Sequence, residues 1–162
     1  VKLLDVFGRT KSVSLKKYRI NWDKPSKSKF QFNIKQFFKQ YWEHDNCVEE
    51  FPVLGTKLNC DLINFDKMFA VEADGNFHNT FSKFHHKTRI GFLNSLKRDQ
   101  KKDEWLKSND LFVIRINEND IKNFNLEWIE NTFKIDITSK YHFNKKHVES
   151  INDRVLRKKD CA

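Results

Sequence analysis

The stretch 58–78, LNCDLINFDKMFAVEADGNFH, constrains the fold more than any other part of the chain. Two apolar runs, each long enough for a strand, flank the polar turn Asn64-Phe65-Asp66-Lys67, which predicts an antiparallel hairpin. Three acids interrupt it: Asp61 in the first run, Glu72 and Asp74 in the second. With the turn centred on Asp66-Lys67, Phe65 pairs with Met68 and Asp61 stands opposite Glu72. Directly opposed side chains have Cβ atoms about 4.5–5.5 Å apart. Asp74 lies two residues further on and so shares their face. Carboxylates placed this way repel, so the register predicts a cation among them. A divalent ion such as Mg²⁺ suits oxygen ligands, and a Lys or Arg would serve as well. The plainer alternative is a solvated outer face, where acids are ordinary.

Gly75 lets the chain turn sharply after the second strand and brings His78 to the hairpin's end. An imidazole beside metal-bound carboxylates can take a proton from water or give one to a leaving group. A second helix is predicted over 90–108, with Leu93, Leu96, Trp105 and Leu106 as its apolar positions. Asp99 falls on that stripe, where an acid is costly without a partner. Arg98 or Lys102 would satisfy it; the alternative is that Asp99 faces His78 and orients the ring.

The surroundings suit a layered α/β (α+β) domain with a central mixed sheet, the hairpin at its core and helices on its faces. Phe30, Ile34, Phe37, Phe38 and Tyr41 recur at helical spacing over 30–44. Strands are expected within 48–64 and over 111–116, a third helix over 124–134, and a short strand pair around Gly8-Arg9. The proline-containing connector 23–29 marks a boundary, so 1–25 reads as an N-terminal extension, 26–135 as the core and 136–162 as a basic tail or helix. Trp42, Trp105 and Trp128 are expected to be core residues.

Lys and Arg number 31 against 22 Asp and Glu, a formal charge of +9, which points to a polyanionic partner. Nucleic acid fits better than membrane, because no segment approaches the roughly 18 apolar residues of a spanning helix. Lys83, His85, His86, Lys87 and Arg89 follow the hairpin, and Lys97, Arg98, Lys101 and Lys102 lie on the helix after it. Such residues hold the phosphates of double-stranded DNA without reading its sequence. Cys47, Cys60 and Cys161 form no CxxC pair, which argues against a structural zinc and suits a reducing compartment. No signal peptide is visible, and the opening Val1 reads as part of a longer protein.

Asp61, then Glu72-Ala73-Asp74-Gly75 with His78 three residues on, then Arg98-Asp99, then Trp105-Leu106 before the strand Val113-Ile114-Arg115, form an ordered series. It resembles the Vsr-like branch of the PD-(D/E)XK nucleases, over residues 30–117. That branch includes very-short-patch repair endonucleases and phage homing endonucleases with an E-D-x-H-D pattern. The resemblance implies a PD-(D/E)XK fold and a metal-dependent DNA endonuclease of the phage homing type, working in the cytoplasm of a bacterial host. It implies Mg²⁺ or Mn²⁺ held by Asp61, Glu72 and the carbonyl of Ala73. His78 takes the acid–base role, and Asp99 closes the pattern. Asp74 stands where the superfamily has lysine, so the lysine's role must move. Gln31 stands where the family often has a glutamate; either metal affinity falls or another acid, Glu43, Glu49 or Glu50, substitutes for it. A homodimer, or two successive nicks, would cut both strands. The alternatives are a Vsr-like mismatch or restriction enzyme, a non-catalytic nucleic-acid-binding module on a nuclease-like fold, and a basic RNA-binding scaffold.

Overall fold

The computed structural model describes residues 1–75 and 89–142. The first helix, α1, spans Lys29–Trp42 and starts where Ser28 Oγ accepts a hydrogen bond from the Gln31 amide at 3.1 Å. That cap satisfies one of the amides that a helix start leaves unpaired. Ile34, Phe38 and Trp42 repeat every four residues, fall on one stripe and are all buried.

Three strands follow: β3 (Cys47–Pro52), β4 (Asn59–Asn64) and β5 (Phe69–Asp74). Ahead of them β1 (Lys2–Leu4) and β2 (Thr10–Ser12) form the expected N-terminal antiparallel pair. The hairpin turn is set by Asn64, whose Oδ1 accepts from the amides of Asp66 at 2.9 Å and Lys67 at 2.8 Å. Its ladder pairs Asn64 with Phe69, Ile63 with Ala70 and Leu62 with Val71, the register that the sequence predicts. The chain then reaches α2 (Arg89–Ser108) and β6 (Phe112–Asn117), which pairs in parallel with β5. The sheet order is β3-β4-β5-β6, antiparallel except for that last pair, and α3 (Leu126–Phe133) completes the helices. The fold is therefore α+β with a four-stranded mixed sheet, and no helix of the described residues is long and apolar enough to cross a membrane.

Alternation along the strands divides the core into two clusters, one on each sheet face. Phe69, Val71, Ile114 and Ile116 pack with Ile34, Phe38 and Trp42 of α1 and Ile129 of α3. Val48, Phe51, Cys60, Ile63 and Ala70 pack with Trp105 and Leu106 of α2. The N-terminal pair joins the second cluster through Leu3, and Trp105 Nε1 donates to the Leu4 carbonyl at 2.6 Å. The first residues of the expected tail belong to the core: Ile137 is fully buried, and its carbonyl accepts from Trp42 Nε1 at 2.8 Å. Residues 143–162 lie outside the described part.

One expectation fails on α2. Leu93 and Leu96, read as apolar contacts, are 53% and 39% exposed. The helix touches the sheet through its C-terminal half, where Trp105 and Leu106 are buried, and its first turns carry Ile90, Leu93 and Leu96 on the surface.

Candidate active site

The acids of the hairpin gather at one end of the sheet, but not on one face. The β4–β5 ladder stops at Leu62–Val71, and beyond it the two strands are linked through side chains. The Asp61 amide donates to Glu72 Oε1 at 3.2 Å, and the Ala73 amide donates to Asp61 Oδ2 at 2.9 Å. Glu72 points to the α2 face, where its Oε2 lies 3.3 Å from Lys102 Nζ. Asp61 points the other way and lines a cavity of about 390 Å³ beneath α1, together with Gln31, Lys35, Glu49, Glu50 and Ala73. The expectation that Asp61, Glu72 and Asp74 share a face is therefore corrected for Asp61.

The cause is a slip in strand phase. On β3, Val48 and Phe51 both belong to the α2-side core; on β4, so do Cys60 and Ile63. Strict alternation would not put residues three apart on the same side. Glu49 and Glu50 on one strand, and Asp61 and Leu62 on the other, fill the extra position on the α1 side. Glu50 carries the kink, with φ +48, the left-handed region that a non-glycine side chain seldom occupies. Because both strands slip together, the pairing count survives: Glu49 pairs with Leu62 and Phe51 with Cys60, leaving Glu50 and Asp61 facing each other between them.

Within the cavity Gln31 Nε2 donates to Glu50 Oε1 at 3.2 Å, and Lys27 Nζ lies 3.0 Å from Glu50 Oε2. Lys35, buried on α1, has its Nζ 2.8 Å from Glu49 Oε2 and donates to the Lys24 carbonyl at 2.9 Å. The first of these is an ion pair without the alignment of a hydrogen bond, and it leaves Glu49 Oε2 as a buried oxygen that accepts none. Asp61 Oδ2 is engaged by Ala73, whereas Oδ1 accepts no hydrogen bond among the described residues and opens to the cavity. Desolvation raises the Asp61 carboxyl above its ordinary range; the Ala73 amide and Lys102 act against this, and Glu50 and Asp74 reinforce it.

On the opposite face, Glu72 and Asp74 each have a built-in cation. Burial, and then the charge of Asp61, push Glu72 up to about 8, although Lys102 and Arg115 pull it down. Burial works against the Lys102 ammonium, but Glu72 and Asp61 outweigh it and raise Lys102. Arg115 on β6 lies 3.0 Å from both oxygens of Asp74, bonds to Asp103 and sits 3.9 Å from Asp99. Its charge among several carboxylates raises it despite burial. Asp99 thus faces the acidic cleft, and among the described residues Arg115 rather than Arg98 or Lys102 is its near cation. Asp99, Lys102 and Asp103 occupy the inward side of α2, as their i, i+3, i+4 spacing requires.

His78, Lys83, His85, His86 and Lys87 lie outside the described residues, so the meeting of His78 with Asp99 does too. Arg89, Lys97, Arg98 and Lys101 are all exposed on α2. Sequence reasoning offered Lys102 as a partner for Asp99 rather than for Glu72, did not single out Arg115, and left Glu43, Glu49 and Glu50 undivided. Glu43 is exposed at the end of α1, away from the cavity that holds the other two. The two consecutive glutamates inside β3 were the available signal, since paired polar residues break a strand's alternation.

The metal expected on Asp61, Glu72 and the Ala73 carbonyl meets a mixed fit. Asp61 offers an open oxygen, but both oxygens of Glu72 are engaged, by the Asp61 amide and by Lys102. Among the described residues, no group of three or more His, Cys, Asp or Glu side chains is placed to hold a metal ion. Comparison with known proteins finds no matching family, no matching curated protein and no matching solved structure.

Proposed function

We propose that this chain is a metal-dependent DNA endonuclease of the PD-(D/E)XK type, in its Vsr-like, phage homing branch. One observation carries the reading: the carboxylate of Asp61 sits where β4 and β5 part, desolvated, with one oxygen fixed by the Ala73 amide and the other accepting no hydrogen bond among the described residues. An acid with no partner for its second oxygen is costly in a stable sheet and is characteristic of a working site. The order α1-β3-β4-β5-α2-β6, with helices on both faces of a mixed sheet, supports the resemblance that the sequence carries.

A bound Mg²⁺ or Mn²⁺ would polarise the scissile phosphate and lower the pKa of its water. The chain's own residues do the rest. The Ala73 amide orients Asp61. Lys102 and Arg115 hold Glu72 and Asp74 and keep the acidic end of β5 from repelling itself apart. Arg89, Lys97, Arg98 and Lys101 offer exposed cations for phosphate contacts beside this end of the sheet. His78, with Asp99, is the proposed proton carrier. One such site cuts one strand at a time, so a double-strand break takes a homodimer or two successive nicks.

Plasmid nicking in Mg²⁺ or Mn²⁺ against EDTA tests the reading. Supercoiled DNA should be nicked only with metal, and Asp61→Ala should bind DNA without cutting it. Normal nicking by Asp61→Ala would remove the assignment.

The internal neutralisation of Glu72 and Asp74 favours a second reading, a non-catalytic nucleic-acid-binding module on the same fold. Binding with no cleavage under any metal would establish it.

A further inference from the structure

The two edges of the four-stranded sheet differ. The β3 edge is covered: the Ile20 amide donates to the Cys47 carbonyl at 3.1 Å, and Arg19 bridges to Val48. The β6 edge is paired with no other strand among the described residues. We propose that this open edge pairs antiparallel with β6 of a second copy of the chain, about a two-fold axis at Ile114. The proposal gives the homodimer of the endonuclease reading a surface, but its geometry does not depend on that reading.

The ladder fixes which backbone groups face outward. The Phe112 amide donates to the Met68 carbonyl at 3.0 Å, and the parallel register runs from Phe69–Phe112 to Asp74–Asn117. Along a strand these groups alternate sides, so Phe112, Ile114 and Ile116 turn theirs to β5, and Val113, Arg115 and Asn117 turn theirs away. The Asn117 amide is taken by Asp120 Oδ2 at 3.0 Å. The amides and carbonyls of Val113 and Arg115 have no hydrogen-bond partner among the described residues. An identical strand satisfies all four at once when Val113 pairs with Arg115 of the second copy and Arg115 with Val113 of the second copy. Centring the pair on Val113 or on Arg115 would instead call on Leu111 or Asn117, whose amides are already bonded. The edge also lacks the usual guards against pairing. FVIRIN contains no Pro or Gly, and its one charge, Arg115, is turned back onto Asp74 and Asp103. A groove of about 650 Å³ is lined by Phe112 and Tyr141 from the α1 side and by Asp103 and Lys107 from the α2 side. A groove walled from both faces opens along the edge between them, which is the place of an added strand. Its charged residues, Asp103, Asp110, Lys107 and Arg115, balance in sign although the chain carries +9. Two copies therefore meet here without the repulsion set by their net charge. Because the β3 edge is covered, this pairing closes at two chains.

The test is sedimentation equilibrium of the full 162-residue chain without DNA, with amide hydrogen exchange followed residue by residue. The wild-type chain should sediment at twice its own mass, and the Val113 and Arg115 amides should exchange more slowly in concentrated than in dilute solution. Val113→Pro removes one outward donor per chain and leaves the β5 ladder intact, since Pro is tolerated where an edge N–H faces away from the sheet. It should weaken association by about tenfold or more, because two hydrogen bonds are lost per dimer. Leu93→Ser, on the exposed part of α2, is the control and should associate like wild type. The proposal is overturned by a single-chain mass up to the highest soluble concentration, by Val113→Pro associating like wild type, or by association that Leu93→Ser abolishes. Slow Val113 and Arg115 exchange in a single-chain species would also overturn it, and would give the edge to residues 143–162 of the same chain. If Val113→Pro does not fold, the concentration dependence of exchange in the wild-type chain decides alone. A dimer lost in Val113→Pro, in a chain that cuts no DNA, would sustain the proposal while removing the endonuclease reading. Metal-dependent nicking by a chain that stays single would do the reverse.

Discussion

Glu72 has both carboxylate oxygens engaged and still gains from holding a proton. Its carboxyl titrates at about 8 in the fold, against an ordinary value of 4.5. The unfolded chain therefore releases this proton first, and Glu72 makes stability fall as pH rises from 4.5 towards 8. Glu72→Gln cannot ionise. Urea denaturation at pH 5, 7 and 9 should show the variant gaining on wild type across that window and levelling off above it. A constant difference would mean that the buried carboxyl is already ionised at low pH. Lys102→Met gives the complementary result. At pH 9 it leaves a buried carboxylate without its cation, a loss of about 3 kcal/mol or more by the usual cost of breaking such a pair. At pH 6, where Glu72 is protonated, the loss should be smaller. The double variant should recover much of the alkaline deficit, because removing both partners leaves no orphan charge.

Helix α2 joins two different surfaces on one element. Its last turns bury Trp105 and Leu106, its inward side carries Asp99, Lys102 and Asp103, and its first turns expose Ile90, Leu93 and Leu96. Trp105→Ala should cost about 3–5 kcal/mol of unfolding free energy, because it empties a packed site. Leu93→Ser should stay within about 0.5 kcal/mol, as for a surface position. Equal losses in a denaturant titration would contradict this division. The same helix shows what the sequence can and cannot convey. Its extent was legible from apolar spacing, and so were the hairpin, its register and the place of Ile34 and Phe38 on the buried stripe of α1, because period and turn chemistry are local. Which leucines meet the sheet depends on where the helix crosses it, and no local pattern records that. The site divides in the same way. Asp61 was legible from its intrusion into an apolar run. Its separation from Glu72 was not, because it depends on a φ of +48 at Glu50, a residue on a different strand. That Lys102 meets Glu72 and Arg115 meets Asp74 was not legible, because their distance from the acids is set by the crossover from β5 to β6.

Over the whole molecule, nine surplus positive charges must reside outside a site that neutralises its own acids internally. Lys97, Arg98 and Lys101 are exposed on α2, whereas Asp99 and Lys102 of the same helix are half-buried. A single helix can therefore lay its cations along a phosphate backbone while its other side braces the acidic end of β5. Binding of this kind releases counterions, and the logarithm of the association constant falls with that of salt by about 0.9 per phosphate neutralised on duplex DNA. Replacing Lys97, Arg98 and Lys101 together by alanine should make the slope shallower by roughly 2.7, since three phosphates are no longer neutralised, and should weaken binding alike on unrelated sequences. Fluorescence anisotropy of a labelled duplex between 50 and 300 mM salt, on the order of the range where such slopes are read, gives the measurement. An unchanged slope would move the DNA surface off α2. An equal or tighter fit to an RNA duplex would count against a DNA enzyme altogether, because A-form RNA presents a different groove and phosphate spacing to a helix that tracks B-form DNA.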